Sequence, residues 1–159
     1  MRSRVLTSYA LALAVALVVG CGSDSTSPSD PPGPPIDTKL SCSNPDGSTS
    51  DCSLNLPANN GLDIVIQSTS CVAADNKLHL LSPVDSILTT NGCALTAGTK
   101  WSFGPFDTDK QVSLQVTSAT LEFPPKLVVS GSYPSWTVTF EDGGDSDNND
   151  IILQVSAKP

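Results

Sequence analysis

The sequence predicts an all-β protein, an antiparallel β-sandwich of the jelly-roll or immunoglobulin-like kind. Three observations carry this. Short runs rich in Val, Ile, Leu and Thr alternate apolar and polar side chains with a period of two, the pattern of half-buried strands. Clusters of Asn, Asp, Gly and Pro separate these runs at close intervals. From Lys39 onward no stretch shows the periodicity of an amphipathic helix.

Strands are expected at Ser53–Leu56, Leu62–Ser68, Lys77–Leu81, Ser86–Thr90, Lys100–Phe103, Gln111–Thr117, Lys126–Ser130, Ser135–Glu141 and Ile151–Ser156. That is eight or nine short strands in one sandwich. The clearest are Gln111–Thr117, where Val112, Leu114 and Val116 share a face, and Ser135–Glu141, where Trp136, Val138 and Phe140 do. Turns fall at Asn44-Pro45-Asp46-Gly47, Asn59-Asn60-Gly61, Asn91-Gly92, Gly104-Pro105 and Asp142-Gly143-Gly144. The chain has 4 Phe, 2 Trp and 2 Tyr, so its core must be mostly aliphatic.

The first 21 residues speak to location. Arg2 and Arg4 give a positive start, and Val5 to Val19 then runs without a charge. Such a stretch suits the apolar region of a signal peptide and falls short of the roughly 20 residues a membrane span needs. Val18-Val19-Gly20-Cys21 resembles the bacterial lipobox, in which small or aliphatic residues precede a cysteine. The resemblance implies cleavage before Cys21 and attachment of a diacylglyceryl group to its thiol as a thioether. One acyl chain holds a protein only marginally, so stable anchoring takes further acylation. Gly22 follows the cysteine where an aspartate would resemble an inner-membrane retention signal, which points to the outer membrane.

Residues 22–38, GSDSTSPSDPPGPPIDT, cannot build a core. They read as an extended tether reaching about 50 Å at roughly 3.1 Å per residue. The expected organisation is a signal peptide at 1–20, a lipidated cysteine and tether at 21–38, and a single β-domain at 39–159. Removing residues 1–20 takes two arginines and no acid, so the formal charge of −8 becomes −10. That surface argues against nucleic acid as a partner and leaves room for cations.

With Cys21 spent on lipid, Cys42, Cys52, Cys71 and Cys93 remain of the 5 cysteines. An even count in an exported chain reads as two disulfides. Three connectivities are open. Cys42–Cys52 and Cys71–Cys93 close the shortest loops and suit hairpins, so these are expected. Zinc is disfavoured, since the spacings contain no C-x-x-C pair and the single histidine is remote.

The segment Trp136 to Val155, WTVTFEDGGDSDNNDIILQV, is the most informative for chemistry. Five acids fall between Glu141 and Asp150, a density that needs either water or a cation. Calcium takes 6–8 oxygens from carboxylates, amides and carbonyls. Glu141, Asp142, Asp145, Asp147, Asn149 and Asp150 are the candidate ligands. The run is not an EF-hand: Asp150 stands where that loop has glycine, and Ser156 where it has glutamate. Phe140-Glu141-Asp142-Gly143-Gly144-Asp145, then Asp147 and Asn149-Asp150-Ile151, resembles the closing hairpin of a β-domain of unknown function found in many exported bacterial proteins. Asn148 departs from the aromatic usual there. The resemblance implies calcium binding and a place on adhesins and other surface proteins. It covers about 20 residues.

Other sites are weaker. His79, in Lys77-Leu78-His79-Leu80-Leu81, has no motif that sets a nucleophile against it, and there is no G-x-S-x-G. Trp101 and Trp136 alternate with apolar neighbours and read as core, whereas Tyr133 lies in a turn. Trp101 and Tyr133 are the contacts a carbohydrate-binding module would need. The expectation is a non-enzymatic lipoprotein at the cell envelope, with a calcium-stabilised β-domain for adhesion or envelope interaction with a glycan or protein. A carbohydrate-binding module and a small periplasmic hydrolase are the alternatives.

Overall fold

The computed structural model describes residues 35–46, 49–71, 75–118, 126–142 and 147–159. The signal peptide, Cys21 and most of the tether lie outside these, as does Asp145. Among the described residues ten strands form two five-stranded antiparallel sheets: β1 (Ser41–Asp46), β2 (Thr49–Leu56), β3 (Asn60–Thr69), β4 (Lys77–Ser82), β5 (Ser86–Thr89), β6 (Lys100–Phe106), β7 (Lys110–Thr117), β8 (Lys126–Ser132), β9 (Ser135–Glu141) and β10 (Ile151–Lys158). The first sheet runs β1-β2-β7-β4-β5 and the second β6-β3-β10-β9-β8.

Cross-strand register shows why the sequence alternates. Cys52 on β2 lies opposite Leu114 on β7, which lies opposite Leu80 on β4. In the second sheet Ile64 on β3, Val155 on β10 and Trp136 on β9 form one row, and Ile66, Leu153 and Val138 the next. All of these are buried in a single cluster to which both sheets contribute. Removal of that apolar surface from water is the main force holding the sheets together. Among the described residues Trp136 and Phe140 are the aromatics buried in this cluster, in keeping with the aliphatic composition.

The disulfides are Cys42–Cys52 and Cys71–Cys93. The first staples β1 to β2 at directly opposed positions. The second ties the end of β3 to a 3-10 turn at Gly92–Ala94.

Two local turn expectations change and a third, at Asn91-Gly92, is met. Asn44-Pro45-Asp46, read as a turn, belongs to β1. As an edge strand paired only with β2, β1 tolerates a proline that a central strand would not. Gly104-Pro105, also read as a turn, lies within β6, beside a register shift opposite Asn60 and Leu62. Asn91-Gly92 opens the 3-10 turn, where the Asn91 side chain accepts a hydrogen bond from the Ala94 N–H.

Candidate metal centre

β9 and β10 are joined by the acidic hairpin. The ladder sets Phe140 opposite Ile151, so Glu141 and Asp142 leave one strand beside Asp150 at the entry to the other. All three carboxylates are buried, with exposures of 3%, 5% and 5%. One oxygen from each lies within 4.8 Å of the other two. Oxygens 2.3–2.6 Å from a single calcium ion are separated by up to about 5 Å, so the three match one coordination sphere.

Hydrogen bonds fix the trio. The Asp142 N–H donates to Asp150 Oδ2 at 2.5 Å, and the Asn148 N–H donates to Glu141 Oε2 at 2.8 Å. Asn148 adopts a left-handed backbone with φ 55°. Asparagine takes that conformation far more readily than an aromatic would. Asparagine at this position therefore suits the backbone that turns its N–H onto Glu141.

Asp150 feels the crowding most. Burial is the largest cause pushing its carboxyl up to about 7, and the charges of Asp142 and Glu141 push the same way. The bond from the Asp142 N–H pulls in the opposite direction without overcoming them.

The remaining candidate ligands are placed differently. Asp147 is exposed and folds back in a local turn, accepting from the backbone and side-chain N–H groups of Asn149. The structure thus separates the six proposed ligands by burial: Glu141, Asp142 and Asp150 come together, Asp147 and Asn149 pair with each other, and Asp145 lies outside the described residues.

Sequence reasoning missed the wall of this site. Asn76, just ahead of β4, is fully buried, and its Nδ2 donates to Asp142 Oδ2 and to Cys93 Sγ, each at 3.2 Å. Its backbone carbonyl accepts from the Gly92 N–H at 2.5 Å, and the Ser70 N–H donates to the Asp150 carbonyl at 2.9 Å. Of the two segments bridged by Cys71–Cys93, one is bonded to the hairpin end through Ser70 and the other to Asn76. A Cβ at Gly92 would sit 2.5 Å from the Ile151 side chain and 3.0 Å from the Asn76 carbonyl, so a larger residue here would have to displace both. An asparagine in a polar stretch before a strand looks like an ordinary turn residue; only its burial marks it.

The other candidates lie elsewhere. His79 Nε2 contacts the exposed Asp85 at 2.6 Å, a surface pair of small energetic weight. Trp136 is core. Trp101 is half-buried and lies opposite the fully buried Ile64, so it faces inward. Tyr133 is 41% exposed in the turn between β8 and β9. Its hydroxyl donates to Asn60 Oδ1 at 3.1 Å, and its ring meets Trp136 edge-on at 6.2 Å.

A two-sheet β-sandwich with a buried tricarboxylate at one hairpin is what the fold and the site define together. No family model matches the chain, and no curated protein matches it. Among solved structures it is similar to a high-affinity mannose-binding lectin of Ralstonia solanacearum, at 22% identity and a TM-score of 0.46, over 67% of this chain and 95% of that one. The fold assignment rests on the two sheets and not on this distant likeness.

Proposed function

We propose that this chain is a non-enzymatic lipoprotein of the cell envelope whose β-sandwich is braced by calcium at the β9–β10 hairpin and serves adhesion or another envelope interaction. The burial of Glu141, Asp142 and Asp150 around one point carries this reading. Burying carboxylates is costly unless their charge is neutralised, and three converging oxygens with no nitrogen or thiolate among them favour a hard cation. The Cys71 and Cys93 sulfurs near Asp142 are oxidised and offer no thiolate. The hairpin's resemblance to exported surface domains agrees with this, and Tyr133 is the aromatic best placed for a glycan or protein contact.

Calcium added to the metal-free full chain in detergent should raise its melting temperature. At saturation the rise should be about 5 °C or more. Glu141→Gln combined with Asp142→Asn should abolish it. An unchanged melting temperature at millimolar calcium would reduce the trio to a protonated structural cluster.

Anchoring rests on the lipobox resemblance at Cys21 and on the two disulfides, which suit an oxidising compartment. Cys21→Ser should move the protein from the membrane fraction to the soluble fraction of the host cell and end incorporation of labelled palmitate. Continued labelling would place the lipid on another residue, and a wild type that takes up no label would remove the lipid from the account.

A further inference from the structure

We propose that Asn76 is a fourth ligand of the cation, so that the ion clamps the two sheets of the sandwich together. This deepens the calcium reading of the trio and rests on it. Three observations lead there. Asn76 is fully buried, and among the described residues its Oδ1 is a buried side-chain oxygen without a hydrogen-bond partner. A buried amide oxygen left without a partner is costly, so its persistence in a tight core calls for a partner. The same amide reaches the trio, since its Nδ2 lies 3.2 Å from Asp142 Oδ2.

Asn76 is also held from behind. Its carbonyl takes the Gly92 N–H, and the Gly92 turn is fixed by Cys71–Cys93. The backbone cannot withdraw from the site without dragging that turn with it.

The amide supplies the means to switch between states. A half-turn of its terminal torsion exchanges Nδ2 and Oδ1 at little steric cost, because the two ends are nearly the same size. Without a cation, the nitrogen faces Asp142 and donates to it. With a cation among the carboxylates, the oxygen turned to the same place finds the partner it lacks, and the attraction of the ion has to exceed the bonds to Asp142 and Cys93 that Nδ2 gives up. Neutral amide oxygens are ordinary calcium ligands.

The placement gives the ligand its consequence. Asn76 immediately precedes β4 in the first sheet, whereas Glu141, Asp142 and Asp150 belong to the β9–β10 hairpin of the second. An ion held by all four joins the sheets at one end of the core, beside the disulfide that already fastens the neighbouring loops.

Calorimetric calcium titration of the full chain in detergent, with wild type, Asn76→Ala and Asn76→Asp, tests this. Terbium luminescence lifetimes in H2O and D2O then count the waters on the bound ion. Asn76→Ala should weaken binding by about tenfold and add one water to the ion. Asn76→Asp should bind more tightly than wild type, since it adds a charge to the ligand set, and misfolding cannot mimic that gain. If the wild type binds and both variants match its affinity and hydration, Asn76 is only a hydrogen-bond donor to Asp142 and the clamp is wrong. If the wild type does not bind, the trio reading itself falls.

Discussion

Phe140→Ala is expected to cost the domain about 3–5 kcal/mol, the range for deleting a buried aromatic side chain. Phe140 is fully buried and stands between Leu127 of β8 and Ile151 of β10 in the register of the second sheet. Ile151 in turn presses against Gly92, the residue that positions Asn76. The cavity therefore opens under the carboxylate trio and directly before Glu141. Calcium affinity should fall along with stability. Leu56→Ala gives the comparison: Leu56 is equally buried on β2, outside the hairpin. It should cost about 2–5 kcal/mol and leave calcium affinity unchanged. Urea unfolding measures the first quantity and calcium titration the second. Equal affinity in the two variants would show that the trio does not depend on the packing beneath it.

How much of this could be read from the sequence depended on whether a segment keeps a two-residue period. Val112, Leu114 and Val116, and Trp136, Val138 and Phe140, alternate without interruption, and both runs became strands of the core at the expected places. Ser41–Asp46 has no large apolar residue and ends in Asn-Pro-Asp, so nothing in its pattern marks a strand. It pairs through its backbone and through Cys42, at a sheet edge where side-chain alternation matters least. The cysteine pairs were readable because short loops favour them; the β1–β2 hairpin holds Cys42–Cys52, whereas Cys71–Cys93 joins the end of a strand to the 3-10 turn.

For the site, composition located the hairpin but could not rank its acids. Glu141 and Asp147 look alike in a string of polar residues. One is buried because it ends a core strand, and the other is exposed because its carboxylate turns back to Asn149. Asn76 stands 66 positions from Asp142, its hydrogen-bond partner. No local pattern links the two; the sandwich brings them together by placing the start of β4 against the end of β9.

Asp150→Asn is expected to remove the part of the domain's response to pH and to calcium that this carboxyl supplies. In the metal-free protein the folded Asp150 carboxyl keeps its proton up to about 7, whereas the unfolded chain releases it near 3.8. Between those values the folded state holds more protons than the unfolded state. Stability therefore falls as pH rises through this window, by at most about 1.4 kcal/mol per pH unit from this group. Below the window the group is neutral in both states, and above it the loss is complete. Asparagine is neutral throughout and can still accept the Asp142 N–H. The variant should accordingly be more stable than wild type at pH 7.5 without metal, and the two should converge near pH 4. Calcium should invert the order. The ion displaces the proton and favours the ionised site, so wild type gains stability at pH 7.5 and the variant gains little. Urea midpoints at pH 4.5, 6 and 7.5 in metal-free buffer, repeated with calcium, give the comparison as a difference between two proteins, which removes the titration of the other carboxylates. A difference independent of pH would mean that Asp150 ionises freely in the folded state. The burial of the trio would then cost the protein nothing that a cation could recover.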